Sequence, residues 1–202
     1  MKLLINFYAN ISEGSVNDLI KFVTFKLSQQ TPEKQIDEII IQISSSGGSS
    51  DHGLLAYNFL QQISIPKTTI GMGNVDSAAI MLFCAGQKRL AMPSCRFVLH
   101  EAVATLGGQF TATKLDEMAR LTQRITDDYS EVVIKITNLE KDKVQSDVKK
   151  GSVLSSKEAK NINLVTEILE ESYLKEMKDL EILLINNPIM TVNQLPQKKV
   201  EV

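Results

Sequence analysis

The chain has 202 residues, of which 43% are hydrophobic and 23% charged, and its formal net charge is −2 at pH 7. A chain of this length and composition is typical of a globular protein that buries a core without disulfides or metal ions. Because no cluster of Lys and Arg forms a stripe that could neutralise phosphates, and no run of about 18 apolar residues occurs, we expect neither a nucleic acid partner nor a membrane span.

Strands and helices are predicted to alternate in the first part of the chain. Residues 3–7 are predicted to form a strand, and the apolar positions after Ser15 have the spacing of a helix with Ser15 as its N-cap. The isoleucine-rich segment 36–43 predicts a strand buried on both faces, as in a parallel sheet. A Gly/Ser-rich segment, 44–53, then leads into a predicted helix over 54–60.

The next segment repeats this order. A strand over 68–72 is followed by a predicted tight turn at 73–77 and a short helix over 78–85. Two further strands are predicted at 89–92 and 96–99. The repeated β-turn-α order predicts an α/β fold with its site at the carboxyl ends of the strands.

Helices dominate the remaining pattern. A long helix is predicted over 111–136 and a shorter one over 139–148, and Ser155 and Glu158 have the spacing of a capping box that begins another helix. A short strand is predicted at 164–165. Helical spacing returns near the C-terminus, before Pro188, at Leu174, Met177, Leu180, Leu183 and Leu184.

Two glycine-containing turns, 46–48 and 73–77, each follow a strand and open a helix. The free backbone N–H groups of such turns can stabilise an oxyanion. Ser77 is therefore a candidate nucleophile, with the amides of Ala78 and Gly48 as oxyanion donors. The alternative is that Ser77 only caps the helix that follows it.

His100 is the candidate general base, because it ends an apolar strand at the edge where sites of α/β sheets are built. A structural histidine is the alternative interpretation. The two cysteines, Cys84 and Cys95, lack the spacing of a metal site and are expected to be buried thiols in a reducing cytoplasm. We expect no metal ion and no cofactor. Asn6 and Asn10 interrupt the short apolar N-terminal run, which we interpret as a strand and not as a signal peptide.

Four segments resemble successive motifs of the Clp protease proteolytic subunit, in the same order. They are 43–48 (ISSSGG), 73–79 (GNVDSAA), 91–100 (AMPSCRFVLH) and 154–159 (LSSKEA). The similarity covers residues 5–169. It implies a ClpP/crotonase-like fold of repeated β-turn-α units, in which the long helix at 111–136 protrudes as a handle and joins stacked rings of subunits.

The resemblance also implies the residues of a serine peptidase site. Ser77 and His100 match the serine and histidine of a Ser-His-Asp triad, and Gly48 and Ala78 match the oxyanion-hole amides. Gly47, Glu101 and Ala102 are implied to line the substrate, which would be a peptide or an unfolded protein.

The third triad position departs from the family pattern. The residue that aligns with the family's aspartate is Gly151. Asp147, one helical turn earlier, is the nearest acidic substitute, and Glu101 and Asp76 are alternatives. Since an orienting carboxylate holds the histidine tautomer and stabilises the imidazolium, its loss can lower the rate by orders of magnitude.

Further departures lie in the turns and at the N-terminus. Ser46 replaces the family's proline before Gly47, and Ala79 replaces the glycine two residues after the serine. The sequence begins at the first predicted strand, without the N-terminal loops that engage an unfoldase in the family, and this argues against an ATPase partner.

We predict a ClpP-like serine endopeptidase domain over residues 1–169 and a C-terminal helical extension and tail over 170–202. The protein is expected to be a cytoplasmic homo-oligomer. Two alternatives remain open: a catalytically silent scaffold subunit of the same fold, and an acyl-CoA-handling enzyme of the wider crotonase fold.

Overall fold

The computed structural model describes residues 1–170, 173 and 179–187. Within them the chain forms eight strands and six helices, an α/β architecture as predicted. The strands are β1 (Lys2–Tyr8), β2 (Glu38–Ser45), β3 (Lys67–Asp76), β4 (Lys88–Ala91), β5 (Arg96–Leu99), β6 (Ser152–Ser155), β7 (Glu167–Ile168) and β8 (Leu180–Asn186). The helices are α1 (Glu13–Ser28), α2 (Ser50–Gln61), α3 (Ala79–Cys84), α4 (Ala112–Ile136), α5 (Lys141–Lys150) and α6 (Ser156–Asn161).

The strands form one sheet in the order β6-β5-β3-β2-β1-β8, with β4 between β3 and β7 on a branch. All neighbours are parallel except β5 and β6. The first half of β3 pairs with β4, whereas its last residues, from Asn74 to Asp76, pair with β5. The carboxyl ends of β2, β3 and β5 therefore meet at one edge of the sheet, where parallel α/β sheets carry their sites.

The main core lies between the sheet and the helices on one of its faces. Ile39 and Ile41 of β2 point into this core, while Ile40 lies in a smaller cluster on the opposite face with Leu4 and Ile70. The three consecutive isoleucines of β2, Ile39, Ile40 and Ile41, are fully buried. This confirms the prediction that the isoleucine-rich strand is buried on both faces.

Helix α4 is buried only toward its C-terminal end, where Tyr129, Val132 and Val133 pack on the core. Its N-terminal half is largely exposed, including the apolar side chains of Leu115 and Leu121. The helix therefore protrudes from the body, as the handle of the predicted fold does. No helix in the described ranges is both long and apolar enough to cross a bilayer.

Several predicted boundaries are corrected by the structure. Ser12, not Ser15, is the N-cap of α1, and Ser15 is the reciprocal partner in its capping box. The strand predicted at 164–165 forms instead at β7, because Thr166 and Leu169 donate their amides to β4 while Leu164 and Val165 are buried in the turn before it. The capping box of Ser155 and Glu158 is confirmed.

The helix predicted near the C-terminus is wrong over β8. This segment pairs in parallel with the whole of β1, from Lys2 opposite Leu180 to Tyr8 opposite Asn186. Its leucines satisfy both a helical and an alternating pattern, and the free edge of β1 decides between them. Residues 174–178 and the tail after 187 lie outside the described residues, and the division of the chain after residue 169 stays a prediction.

Glu38 links β1, β3 and the C-terminal segment. Its carboxylate accepts hydrogen bonds from Lys2 Nζ at 2.7 Å, Thr68 Oγ1 at 2.5 Å and Tyr173 Oη at 3.1 Å. Burial by itself would raise the pKa of Glu38, but these hydrogen bonds together hold the pKa below its ordinary value. Its stabilising effect is therefore present above the unfolded-state pKa and is lost as the pH falls through the folded-state pKa.

We expect Glu38→Gln to flatten the acid dependence of stability. The wild type should lose on the order of 1 kcal/mol more unfolding free energy than the variant as the pH falls from about 6 to about 3. Urea unfolding at several pH values measures this difference, with the exposed Glu33→Gln as the matched control. If the unfolding free energies of the wild type and Glu38→Gln fell in parallel with pH, the role of the Glu38 carboxylate in acid-dependent stability would be contradicted.

Candidate active site

The glycine turn after β2 packs directly against the turn after β3. A β-carbon on Gly47, whose φ is +86°, would lie 2.6 Å from the Asp76 carbonyl oxygen and 2.7 Å from Ser77 Cβ. A β-carbon on Gly48, with φ +141°, would lie 2.2 Å from the Ile11 carbonyl oxygen. Only glycine allows this approach at either position. The contact at Gly47 brings the two turns identified from the sequence together, and the contact at Gly48 packs the first of them against the loop after β1.

Ser77 occupies the junction between β3 and α3 in a left-handed conformation, with φ +55°. Its amide donates to the Val98 carbonyl at 2.8 Å, which fixes the junction against β5. The tight turn predicted at 73–77 is narrower than expected, because β3 continues to Asp76. Ala78 takes the N-cap position of α3 and no side chain caps that helix, so the alternative role of Ser77 as a cap is not adopted.

Within the described residues, the two amides predicted as oxyanion donors have no hydrogen-bond acceptor. Neither Gly48 N nor Ala78 N donates a hydrogen bond to any group in the described part of the chain. Gly47 N, by contrast, donates to Ser45 Oγ at 3.2 Å. The hypothetical β-carbon on Gly47 lies 3.1 Å from Ala78 N, which places the amide of Ala78 beside the glycine turn.

His100 follows β5 and is held by its own neighbour. Its Nδ1 lies 2.8 Å from the backbone carbonyl oxygen of Glu101. Because a carbonyl oxygen only accepts, this contact requires the proton on Nδ1 and leaves the Nε2 lone pair available as a base.

Most of the predicted site residues line one cavity of about 280 Å³. Among the described residues, no hydrogen bond joins Ser77 Oγ to the His100 ring, although both line this cavity. Its lining residues are Gly48, Ser49, Ser50, Asp51, Ser77, His100, Glu101, Ala102, Val103 and Ile125.

The model of the Clp protease family matches residues 2–172 of the chain. The chain belongs to the Clp protease family. Among solved structures it is similar to a mutant of ClpP1 from Listeria monocytogenes, with 23% sequence identity and a TM-score of 0.73 over 83% of this chain and 91% of that chain. The resemblance and the ClpP/crotonase-like fold predicted from the sequence are thereby confirmed.

The structure does not bring the predicted third carboxylate of this Clp protease family member to His100. Asp147, on α5, forms an ion pair with Lys143 and does not line the cavity. Asp76 is bound by Arg96, with 2.8 Å between Arg96 Nη2 and Asp76 Oδ2. Gly151 is the left-handed C-cap of α5, and no atom outside its chain neighbours lies within 4 Å of the β-carbon position.

The group that accepts the hydrogen bond from the His100 ring is a backbone carbonyl, and sequence analysis missed it. Glu101 was an alternative third residue for its carboxylate, yet it is its carbonyl oxygen that contacts Nδ1. No residue pattern could have indicated this contact, because every residue carries a carbonyl group and only the turn after β5 aims this one at the ring.

A polar network that the sequence did not predict lies beneath the turns. Asn74 accepts from Ser44 Oγ at 2.9 Å and donates to Asp76 Oδ2 at 3.1 Å and to Ser46 Oγ at 3.3 Å. It thus cross-links the ends of β2 and β3. Ser46 contributes its hydroxyl to this network.

Neither cysteine of this family member is a competing nucleophile. Cys84 and Cys95 are free and buried, as expected. Desolvation by burial raises the pKa of each thiol to about 12. At neutral pH both are protonated, and a thiol in that state is a poor nucleophile.

Proposed function

We propose that this chain is a serine-type endopeptidase that hydrolyses peptide bonds through an acyl-enzyme on Ser77. The observation that carries the proposal is the single cavity that holds Ser77, His100 and the turn of Gly48. Membership of the Clp protease family supports the same chemistry.

In the proposed reaction His100 Nε2 removes the proton from Ser77 Oγ as the oxygen attacks the peptide carbonyl carbon. The amides of Gly48 and Ala78 bind the negative oxygen of the tetrahedral intermediate. The C–N bond then breaks, and the imidazolium gives its proton to the leaving amine. Water attacks the acyl-enzyme by the same steps and releases the carboxylic acid and free Ser77.

The proposal assigns the orienting role to the Glu101 carbonyl in place of Asp147. The carbonyl holds the Nδ1–H tautomer that catalysis needs. As a neutral group it stabilises the imidazolium less than a carboxylate would, so we expect slower turnover than a complete triad supports. The missing Ser77–His100 hydrogen bond is compatible with catalysis, because such bonds often tighten only in the substrate complex.

Gly47, Glu101 and Ala102 line the peptide in this proposal, and the substrate is a peptide or an unfolded protein. We further propose that subunits assemble as a homo-oligomer of stacked rings in the cytoplasm. The exposed apolar side chains on the free half of α4, Leu115 and Leu121, support contacts made by the handle.

Covalent labelling tests the nucleophile directly. A neutral fluorophosphonate should label the purified, assembled protein, and mass spectrometry should place the adduct on Ser77. Ser77→Ala and His100→Ala should both abolish labelling, because attack needs the hydroxyl and its base. An adduct on another serine, or undiminished labelling of His100→Ala, would overturn the proposed mechanism.

A catalytically silent scaffold is the second candidate. It is favoured by one observation: in the part of the chain that the structure describes, no carboxylate contacts the His100 ring. Folded, assembled protein that takes up no fluorophosphonate would support this candidate and exclude the peptidase.

A further inference from the structure

The cavity around Ser77 carries negative charge. Two carboxylate residues, Asp51 and Glu101, line it, and none of its lining residues is Lys or Arg. Both residues are exposed. Among the described residues neither forms an ion pair, so each carboxylate is free to meet a charge on a ligand.

The negative charge extends into an adjoining cavity of about 220 Å³, which shares Glu101 with the first. Asp127 lines this second cavity and accepts a hydrogen bond from Gln123 at 3.0 Å. Lys149 also lines it and is the one Lys or Arg among the described lining residues of the two cavities. The two cavities together are thus lined by three carboxylate residues and one lysine.

The two carboxylate residues that line the Ser77 cavity come from different elements. Asp51 lies in the first turn of α2, three residues after Gly48, and Glu101 directly follows His100. A peptide bound in this cavity, between the glycine turn and the histidine, would lie beside both residues. Walls of low dielectric constant focus the field of such charges into a cleft.

We propose that this cleft selects peptides with a lysine or arginine beside the scissile bond and disfavours acidic ones. The inference rests on the proposed peptidase function and names its substrate class. A cationic side chain meets two unpaired carboxylates, whereas an acidic side chain meets like charge in the same place, so attraction and repulsion both contribute to selectivity.

Hydrolysis of matched peptides tests the selection. Peptides that differ by Lys, Leu or Glu at single positions on either side of one cleavage site are compared by kcat/KM. At one position at least, Lys should exceed Leu about tenfold, which corresponds to about 1.4 kcal/mol, and Glu should be the slowest. The Lys-to-Leu ratio should fall as salt is raised, because the carboxylates are exposed to solvent.

Isosteric variants assign the preference to its source. Asp51→Asn or Glu101→Gln should lower the Lys-to-Leu ratio by about threefold or more, since each removes one charge and keeps the side-chain shape. Glu101→Gln also keeps the backbone carbonyl that contacts His100. The exposed Asp18→Asn and Glu33→Gln, outside the cleft, serve as matched controls and should leave the ratio unchanged.

A binding assay separates failure of the inference from failure of the proposed function. Fluorescent Lys and Glu peptides are titrated into Ser77→Ala, which cannot turn over. Tighter binding of the Lys peptide supports the charge selection by the cleft independently of turnover, whereas fluorophosphonate labelling of the wild type tests the peptidase function separately. Equal binding of the two peptides, or equal kcat/KM in an enzyme that labels on Ser77, would overturn the inference and leave the peptidase proposal intact.

Discussion

Ser77→Gly is expected to abolish peptide hydrolysis and yet to unfold with a free energy about 1 kcal/mol higher than that of Ser77→Ala. Both variants lack the hydroxyl, so each should lose at least about 10³-fold in kcat/KM. They differ in backbone preference, because the left-handed φ of +55° at this position costs an L-residue about 1–2 kcal/mol, and only part of this is offset by the greater chain entropy of glycine.

Peptide turnover and urea unfolding of the two variants, measured side by side, test both halves of this prediction. The left-handed backbone of Ser77, at the end of a strand, is a strained conformation. Such strain is typical of a nucleophile that is exposed on a sharp strand-to-helix turn. Turnover within tenfold of the wild type in either variant would place the nucleophile elsewhere. Higher stability of the alanine variant would mean that the junction carries no such strain.

Arg89→Met is expected to lower the free energy of unfolding by about 3–5 kcal/mol, the largest loss of stability that we predict. Arg89 is only 6% exposed. Its guanidinium donates to the carbonyl oxygens of Leu164 at 2.9 Å, Asn163 at 2.9 Å and Gly86 at 3.1 Å. A methionine of similar length fills the space but leaves these carbonyls, two of which accept in buried hydrogen bonds and one in a partly buried one, without their guanidinium donors.

The loss should be specific to the buried guanidinium. Arg120→Met, at an exposed ion pair on α4, is the matched control and should change stability by less than about 1 kcal/mol. The loss of stability in Arg89→Lys should lie between those of the two methionine variants. A lysine ammonium group cannot reach all of the carbonyls that the planar guanidinium binds at once. Chemical unfolding measures all three, and equal losses for the methionine variants would contradict the role of Arg89.

Arg89 also explains one boundary that sequence analysis placed wrongly. The apolar pair Leu164 and Val165 has the composition of a strand. In the structure the guanidinium binds the carbonyls of Asn163 and Leu164, so these backbone groups are satisfied outside a ladder and pairing with β4 begins later, at Glu167. A side chain 75 residues away in sequence decides this, and no local pattern contains it.

Local chemistry was sufficient where an element satisfies its own hydrogen bonds. The capping box of Ser155 and Glu158 was predicted from two residues because both partners lie within one helical turn. At α1 the N-cap was predicted three residues too late, at Ser15 and not at Ser12. Both serines suit an N-cap, and they form the two halves of one capping box.

Strand β8 shows the opposite case. Its leucines are compatible with a helix or a strand, and the hydrogen bonds that decide are made to β1, about 178 residues earlier. Non-local pairing of this kind overrides a local periodicity, because the free edge of β1 offers unpaired N–H and C=O groups along its whole length.

By itself the sequence determined the order of strands and helices through α5, the buried isoleucine strand, the long helix α4 and the two glycine turns, because these follow from periodicity, from residue size and from the conformations that only glycine adopts. The protrusion of α4 was implied by the family resemblance and not by these patterns. Tertiary structure decided which groups meet in the site. It bound Asp147 to Lys143 and Asp76 to Arg96, set the Glu101 carbonyl against His100, and left Asp51 and Glu101 unpaired in the described cavity. The partner of an ionisable group depends on distances between separate elements, and only the packing of those elements sets such distances.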